Sequence, residues 1–154
     1  MIRSGIGVLV FVFLVLTARA QEVLPPAISN SYQATLSALQ SARSSEDIHR
    51  MMEAMDAPEW ISVSPTGEKT TRSEAENQLK GLLSIPVGQR PIPIQKTAYV
   101  SDQGDRVLVV YWVYRATDEG KIGSLVRDSW LKTPAGWRRI LHEKFFPDRL
   151  LTLP

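Results

Sequence analysis

The chain has 154 residues, 44% of them hydrophobic, with two histidines, no cysteine and a formal charge of +2. That length fits one globular domain with its own core, and the lack of cysteine excludes disulfides, a thiol nucleophile and thiolate metal ligands. His49 and His142 are too few for an all-histidine metal site of three or more ligands, which leaves a mixed His/carboxylate site formally open.

The first twenty positions combine Arg3, an apolar run over 6–16 and the triplet Ala18-Arg19-Ala20. This is the order of a secretory signal peptide, with small residues flanking a cut after Ala20. The run falls short of the ~20 residues that span a bilayer, and no basic cluster follows it as a stop-transfer signal. A retained anchor is the alternative. With no cysteine at the cut, bacterial lipoprotein attachment is excluded, and the expected location is periplasmic or secreted. Removing residues 1–20 takes Arg3 and Arg19 with it and leaves sixteen basic residues against sixteen acidic ones. Those Lys and Arg are scattered among acids. Nucleic-acid backbone binding needs a concentrated basic face, so no nucleic-acid partner is expected, nor a membrane partner after cleavage.

Residues 21–28, with Pro25-Pro26, read as an extended linker; 29–147 read as the folded domain and 148–154 as a tail. Tyr32, Leu36 and Leu39 recur at helical spacing and predict a first helix over about 29–43. Ser44 followed by Glu46 and Asp47 predicts a fresh helix start, a serine cap with acids in the first turn. Ile48, Met51, Met52 and Met55 then form one face, read as core packing rather than an adaptable groove. His49 falls on the other face beside Glu46 and Glu53, as a solvated residue. Pro58 ends this helix. Trp60-Ile-Ser-Val-Ser alternates as a short strand, closed by the Pro65-Thr-Gly67 turn. Thr71 and Ser73 are both capping-box candidates for a third helix carrying Ala75, Leu79, Leu82 and Leu83. Ile85-Pro86 stops that helix, and Pro86, Pro91 and Pro93 mark an extended loop.

The remainder reads as strands over 94–100, 107–115, 122–132 and 137–146, joined by short turns. Short loops make successive strands antiparallel neighbours. Three helices and a four-strand meander, with one short strand between the second and third helices, give an α+β layout. A strongly curved, mostly antiparallel sheet wrapped around the helices would leave a cavity between them.

Two stretches carry a family likeness. They are Trp60-Ile-Ser-Val-Ser-Pro-Thr-Gly-Glu with the capped helix at Ser73, and Arg127-Asp-Ser-Trp-Leu-Lys, Gly136 and Trp137-Arg-Arg-Ile-Leu-His. Together with the element order they resemble the nuclear transport factor 2-like superfamily, in particular its small SnoaL-like members. The resemblance implies the cone fold shared with ketosteroid isomerase and scytalone dehydratase. That scaffold also serves carriers and association domains, so it does not fix an activity.

Strand alternation puts Ser124, Val126, Asp128 and Trp130 on one face and Leu125, Arg127, Ser129 and Leu131 on the other. Tyr111 goes with Val109 and Val113. On the last strand Trp137, Arg139, Leu141 and Glu143 oppose Arg138, Ile140, His142 and Lys144. Alternation leaves open which face lines the cone. Inside it, Asp128 beside Trp130 would have a raised pKa and serve as general acid or base, with His142 as proton relay. Outside it, Asp128 would pair with Arg127 or Arg138 in solvent. Tyr32, Met55, Trp60, Tyr111 and Trp130 are candidate ligand contacts, the aromatics as a wall for a flat molecule and Met55 from the methionine face. As plain core side chains they need no such role. No cofactor or metal motif is present. The leading expectation is an exported, non-catalytic homodimer, paired through the outer sheet face, that binds a small apolar molecule. The alternatives are a SnoaL-like or ketosteroid-isomerase-like isomerase or dehydratase using Asp128 and His142, and a protein-interaction module.

Overall fold

The computed structural model describes residues 23–87, 89–90, 94–117, 120–145 and 149–151. The expected signal peptide lies outside them, as do Pro91, Pro93 and Pro147.

Helix α1 (Pro26–Ser41) begins before the expected start at 29. Pro25-Pro26 opens the helix instead of extending a linker. A proline at the first helical position gives up an N–H that has no intrahelical acceptor there anyway, and Ile28, one turn in, is fully buried. Helix α2 (Ser45–Met55) has the expected serine cap. Ser44 Oγ accepts the Asp47 N–H at 3.2 Å and the Asp47 carboxylate accepts the Ser44 N–H at 3.0 Å. Its buried residues are Ile48, Met51, Met52 and Met55, the face anticipated from their spacing.

Strand β1 (Asp56–Val63) follows α2 without a loop and starts four residues before Trp60. It runs parallel to the strand that carries His142, with a register shift between Asp56 and Ile61. Pro58, which has no N–H to offer a ladder, falls in that irregular stretch. The turn through Gly67, at φ +84°, leads into β2 (Lys69–Thr71), a short edge strand beyond the expected set. Thr71, and not Ser73, caps α3 (Arg72–Leu79) by exchange with Glu74, and a 3-10 turn (Lys80–Ser84) continues it. Arg90 ties the following loop to the end of α1, its Nη1 donating to the Leu39 carbonyl at 2.9 Å and its Nε to the Ile85 carbonyl at 3.2 Å.

The meander follows as expected, with β3 (Ile94–Asp102), β4 (Arg106–Thr117), β5 (Gly120–Thr133) and β6 (Gly136–Lys144). The expected tail contains a further strand, β7 (Arg149–Leu151), paired antiparallel with the start of β5. The seven-stranded sheet runs β2-β1-β6-β5-β4-β3, with β7 on β5. Ladder irregularities interrupt β3–β4 and β5–β6 as well as β1–β6, and such bulges bend strands and tighten their twist.

Alternation on β4 and β5 is realised, and it identifies the inner face. Val107, Val109 and Tyr111, with Ser124, Val126, Asp128 and Trp130, are all buried. Their alternates Leu108, Val110, Trp112, Leu125, Arg127, Ser129 and Leu131 are half-buried on the outer face. The inner face packs on Ile28, Tyr32 and Met55 as one cluster. Met51, Met52 and Trp60 form a second cluster, against Leu39, Ala75 and Leu79. Removing a side chain such as Ile28 or Ile48 from water contributes about 1.5–3 kcal/mol.

Gly136 begins β6 at φ +101°, and the nearest heavy atom to a Cβ built there is Arg138 Nη1 at 4.0 Å. Space is available, so a side chain costs only backbone strain. Gly136→Ala should lower the unfolding free energy by about 1–2 kcal/mol, read from urea denaturation. An unchanged midpoint would mean that the β5–β6 turn is not as described.

Candidate functional site

The inner face carries one buried polar cluster, centred on Asp128 in the middle of β5. Its carboxylate is fully buried and takes donors from three directions. Tyr32, from α1, donates to Oδ2 at 2.5 Å, and Tyr111, from β4, donates to the same oxygen at 2.7 Å. Trp130 Nε1 donates to the Tyr32 hydroxyl at 3.1 Å, which leaves that oxygen's own proton for Asp128. His142 Nδ1 meets Oδ1 at 2.7 Å and Arg139 Nη1 reaches Oδ2 at 3.5 Å. Arg139 in turn grips Asp56 with Nε on Oδ1 at 2.7 Å and Nη2 on Oδ2 at 3.2 Å. The Trp60 ring lies under the guanidinium, 5.2 Å from ring centroid to Cζ, and 6.4 Å from the His142 ring.

Simple alternation places Arg139 and His142 on opposite faces, and the structure corrects this. The β5–β6 ladder pairs Asp128 with His142 and Ser129 with Leu141, then Trp130 with Arg139. Ile140 is the extra residue, and a bulge of this kind reverses the facing of everything beyond it. The guanidinium and the imidazole therefore share one carboxylate.

The electrostatics follow from burial and from these partners. Burial alone pushes Asp128 up, but the Arg139 charge and the bonds from His142 and Tyr32 outweigh it and hold the group at about 2. This overturns both earlier readings of Asp128. It is not a raised general acid or base, and it is not a solvated partner of Arg127 or Arg138. Arg127 instead pairs with Glu143 on the outer face, and Arg138 donates to the Trp137 carbonyl at 3.0 Å. Burial, reinforced by the Asp128 charge, raises Tyr32 and Tyr111 well above the usual phenol range, so both remain donors. Burial raises Asp56 despite Arg139 beside it. For Arg139, burial acts to lower the pKa, and the carboxylates of Asp128 and Asp56 more than reverse that.

His142 is the open member of the cluster, its side chain 25% exposed against 12% for Arg139 and none for Asp128. With Nδ1–H directed at a carboxylate, the neutral ring carries its lone pair on Nε2, and Nε2 has no bonded partner among the described residues. A fixed imidazole with one free nitrogen accepts a proton, donates one, or hydrogen-bonds a ligand.

The sequence candidates separate. Asp128 and His142 meet, as anticipated from their neighbouring strands. Tyr32, Tyr111 and Trp130 come together edge to face, with Tyr32 centroids 5.6 and 5.3 Å from the other two. They are buried against each other and around Asp128, which fills space rather than walling a slot. Met55 belongs to the same core and also lines a groove of about 170 Å³ between α1 and α2, with Ser31, Ala34, Thr35, Ala38, Met51 and Ala54. Trp60 sits in the other cluster. His49, expected in solvent, bonds Glu76 of α3 at 3.0 Å. Among the described residues no group of three or more His, Asp or Glu side chains is placed to hold a metal ion. Sequence reasoning missed Asp56 and Arg139. Asp56 looks like a helix-ending acid, and Arg139 has the wrong parity until the bulge is known.

The same overall fold recurs in solved structures. A protein of Novosphingobium aromaticivorans described as NTF2-like with a cystatin-like fold superposes with a TM-score of 0.57, over 77% of this chain and 78% of that one, at 17% identity. The fold is NTF2-like. An NTF2-like protein of Cytophaga hutchinsonii matches at 0.56 over 76% and 93%, at 15% identity. A putative calcium/calmodulin-dependent protein kinase type II association domain of Thiobacillus denitrificans matches at 0.56 over 80% and 97%, at 20% identity. Identities this low carry the NTF2-like fold and no function. No family model and no curated protein matches the sequence.

Asp128→Asn tests the cluster. The amide keeps the shape but turns an NH2 or a neutral oxygen toward donors that need an anion, and breaking a buried charged pair costs about 3–5 kcal/mol. The folded carboxyl stands near 2 against an ordinary 3.8. Its contribution, about 2 kcal/mol by linkage, is present above about pH 4 and lost as pH falls toward 2. Chemical denaturation from pH 7 to 2.5 should show this acid loss in the native protein and its reduction in the variant.

Proposed function

We propose that this NTF2-like domain holds a small organic molecule at the His142 edge of its inner face, with imidazole Nε2 as the principal polar contact. The observation that carries the reading is the pairing of His142 Nδ1 with the buried Asp128 carboxylate at 2.7 Å, which fixes the ring and leaves Nε2 unbonded. The contact surface moves away from the apolar cone expected from sequence, because Tyr32, Tyr111 and Trp130 are committed to the core. A ligand with a carbonyl, enol or carboxylate group suits a nitrogen that accepts when neutral and donates when protonated.

A second reading is proton-transfer catalysis of the isomerase or dehydratase type, favoured by the same carboxylate–imidazole pair. Asp128 orients the ring and His142 moves the proton, a division of labour that a carboxylate held near 2 allows. Ligand-observed NMR against a panel of small ketones, enols and carboxylates, in D2O, separates the cases. Hits should weaken about tenfold or more with His142→Gln, the equivalent of one lost hydrogen bond to a charged or fixed partner. Loss of a C–H signal in the native protein but not in the variant establishes catalysis. Hits that bind both proteins equally overturn both readings.

We further propose that the protein acts after export, cut behind Ala20, as a homodimer joined through the outer sheet face. The leader composition supports the first point. The half-buried Leu108, Val110, Trp112 and Leu125 of that face support the second. Native mass spectrometry of the secreted protein should give twice the mass of a chain beginning at Gln21; a monomer, or a chain beginning at Met1, refutes the corresponding point.

A further inference from the structure

We propose that the His142 site continues across the sheet as a row of hydroxyl groups, Ser62 and Thr70, and that its ligand is a small polyhydroxylated molecule, a polyol or sugar. The inference rests on the His142 reading above and extends it from one polar contact to three. The ladders set the row. Asp128 pairs with His142, His142 with Ser62 and Ser62 with Thr70, on β5, β6, β1 and β2 in turn. Residues paired across adjacent strands project to the same face, so Ser62 and Thr70 stand on the inner face with His142. The register shift in β1 lies before Ile61 and leaves this alignment intact.

Along the row the side chains pass from committed to free. Asp128 is fully buried and both its oxygens are bonded. His142 gives Nδ1 to Asp128 and keeps Nε2 unbonded among the described residues. Ser62 and Thr70 are half-buried, and neither side-chain hydroxyl is bonded among the described residues. Other hydroxyls of the same hairpin are already engaged: Ser64 Oγ accepts the Glu68 N–H at 3.1 Å, and Thr71 Oγ1 accepts the Glu74 N–H at 3.3 Å. A second observation concerns Trp60, two residues before Ser62, whose ring lies 6.4 Å from the His142 ring. Its indole N–H is buried and has no acceptor among the described residues. Buried donors of this kind are nearly always paired, and an oxygen-rich ligand on this face would supply the acceptor.

The class of ligand follows from what these groups do. A side-chain hydroxyl both donates and accepts. A ligand hydroxyl does the same, so it suits Ser62, Thr70 and Nε2 alike. Neighbouring strands lie about 5 Å apart, and non-adjacent hydroxyls of one polyol or sugar meet positions repeated at that interval. A lone carbonyl or carboxylate would engage one position and leave the others to water.

The test is an NMR titration of the protein with xylitol and with D-xylose, with 1-pentanol as the single-hydroxyl control. The two polyhydroxylated probes should shift the His142 ring C–H and the Trp60 indole N–H. The Trp130 indole N–H, bonded to Tyr32, should stay in place. Ser62→Ala and Thr70→Val should each weaken their binding about three- to tenfold, the scale of one hydrogen bond. Thr70→Ser, which keeps the hydroxyl, should bind as the native protein does, and 1-pentanol should not distinguish any of these variants. Shifts from neither probe, or affinities unchanged in both hydroxyl-deleting variants, overturn the proposal. Should ketones or carboxylates still bind with the expected dependence on His142, the reading above survives that failure. Binding of xylitol that needs Ser62 and Thr70 but is indifferent to His142→Gln would retain the hydroxyl row and overturn the His142 reading instead.

Discussion

A carboxylate buried at the centre of a sheet is the constraint from which the rest of this structure follows. An ion the size of Asp128 loses several kcal/mol of hydration on entering a protein interior, and only a full set of donors offsets it. Those donors come from every layer: a phenol from α1, a second from β4, an imidazole and a guanidinium from β6. Each donor is therefore also a tether. Tyr32 fixes the first helix over the sheet, the bulge at Ile140 brings two basic side chains to one carboxylate, and Arg139 draws in Asp56 and with it the start of β1. The polar cluster and the hydrophobic core are not separate layers, since Tyr32, Tyr111 and Trp130 belong to both.

Much of the fold was legible because local chemistry and tertiary packing agree. The serine cap at Ser44, the methionine face of α2 and the alternation along β4 and β5 each report burial through a fixed period. The inner face of β5 could be written down from sequence, although which of the two faces it was could not. Legibility fails where one residue changes the period or where a signal has two meanings. Pro25-Pro26 signals a linker or a helix start, and the burial of Ile28 decides for the helix. Asp56 signals a helix end, and only the distant Arg139 makes it part of a cluster. Residues 149–151 carry no turn or alternation strong enough to distinguish a strand from a tail.

The candidate site shows the same division. Asp128 and His142 are neighbours on adjacent strands, which sequence order nearly dictates. Their roles were not readable, because the pKa of a carboxylate depends on how many donors surround it, and the four here come from α1, β4 and β6. An apolar pocket alone would have raised Asp128; the partners reverse the direction. The aromatic residues illustrate the converse. Their types suit a ligand wall, but they are used to satisfy and enclose the buried charge. The shared fold with distant NTF2-like proteins accounts for the scaffold, and the chemistry remains local to these side chains.

The bulge at Ile140 has an evolutionary consequence. The pairing of imidazole with guanidinium depends on a single supernumerary residue in β6, not on the identity of either side chain. Loss of that one codon would leave a regular hairpin, with the same fold and nearly the same composition, in which only one of the two basic groups faces inward. A cluster of this kind can thus be gained or lost by a change of length, at a position where comparison of residue types alone would register nothing.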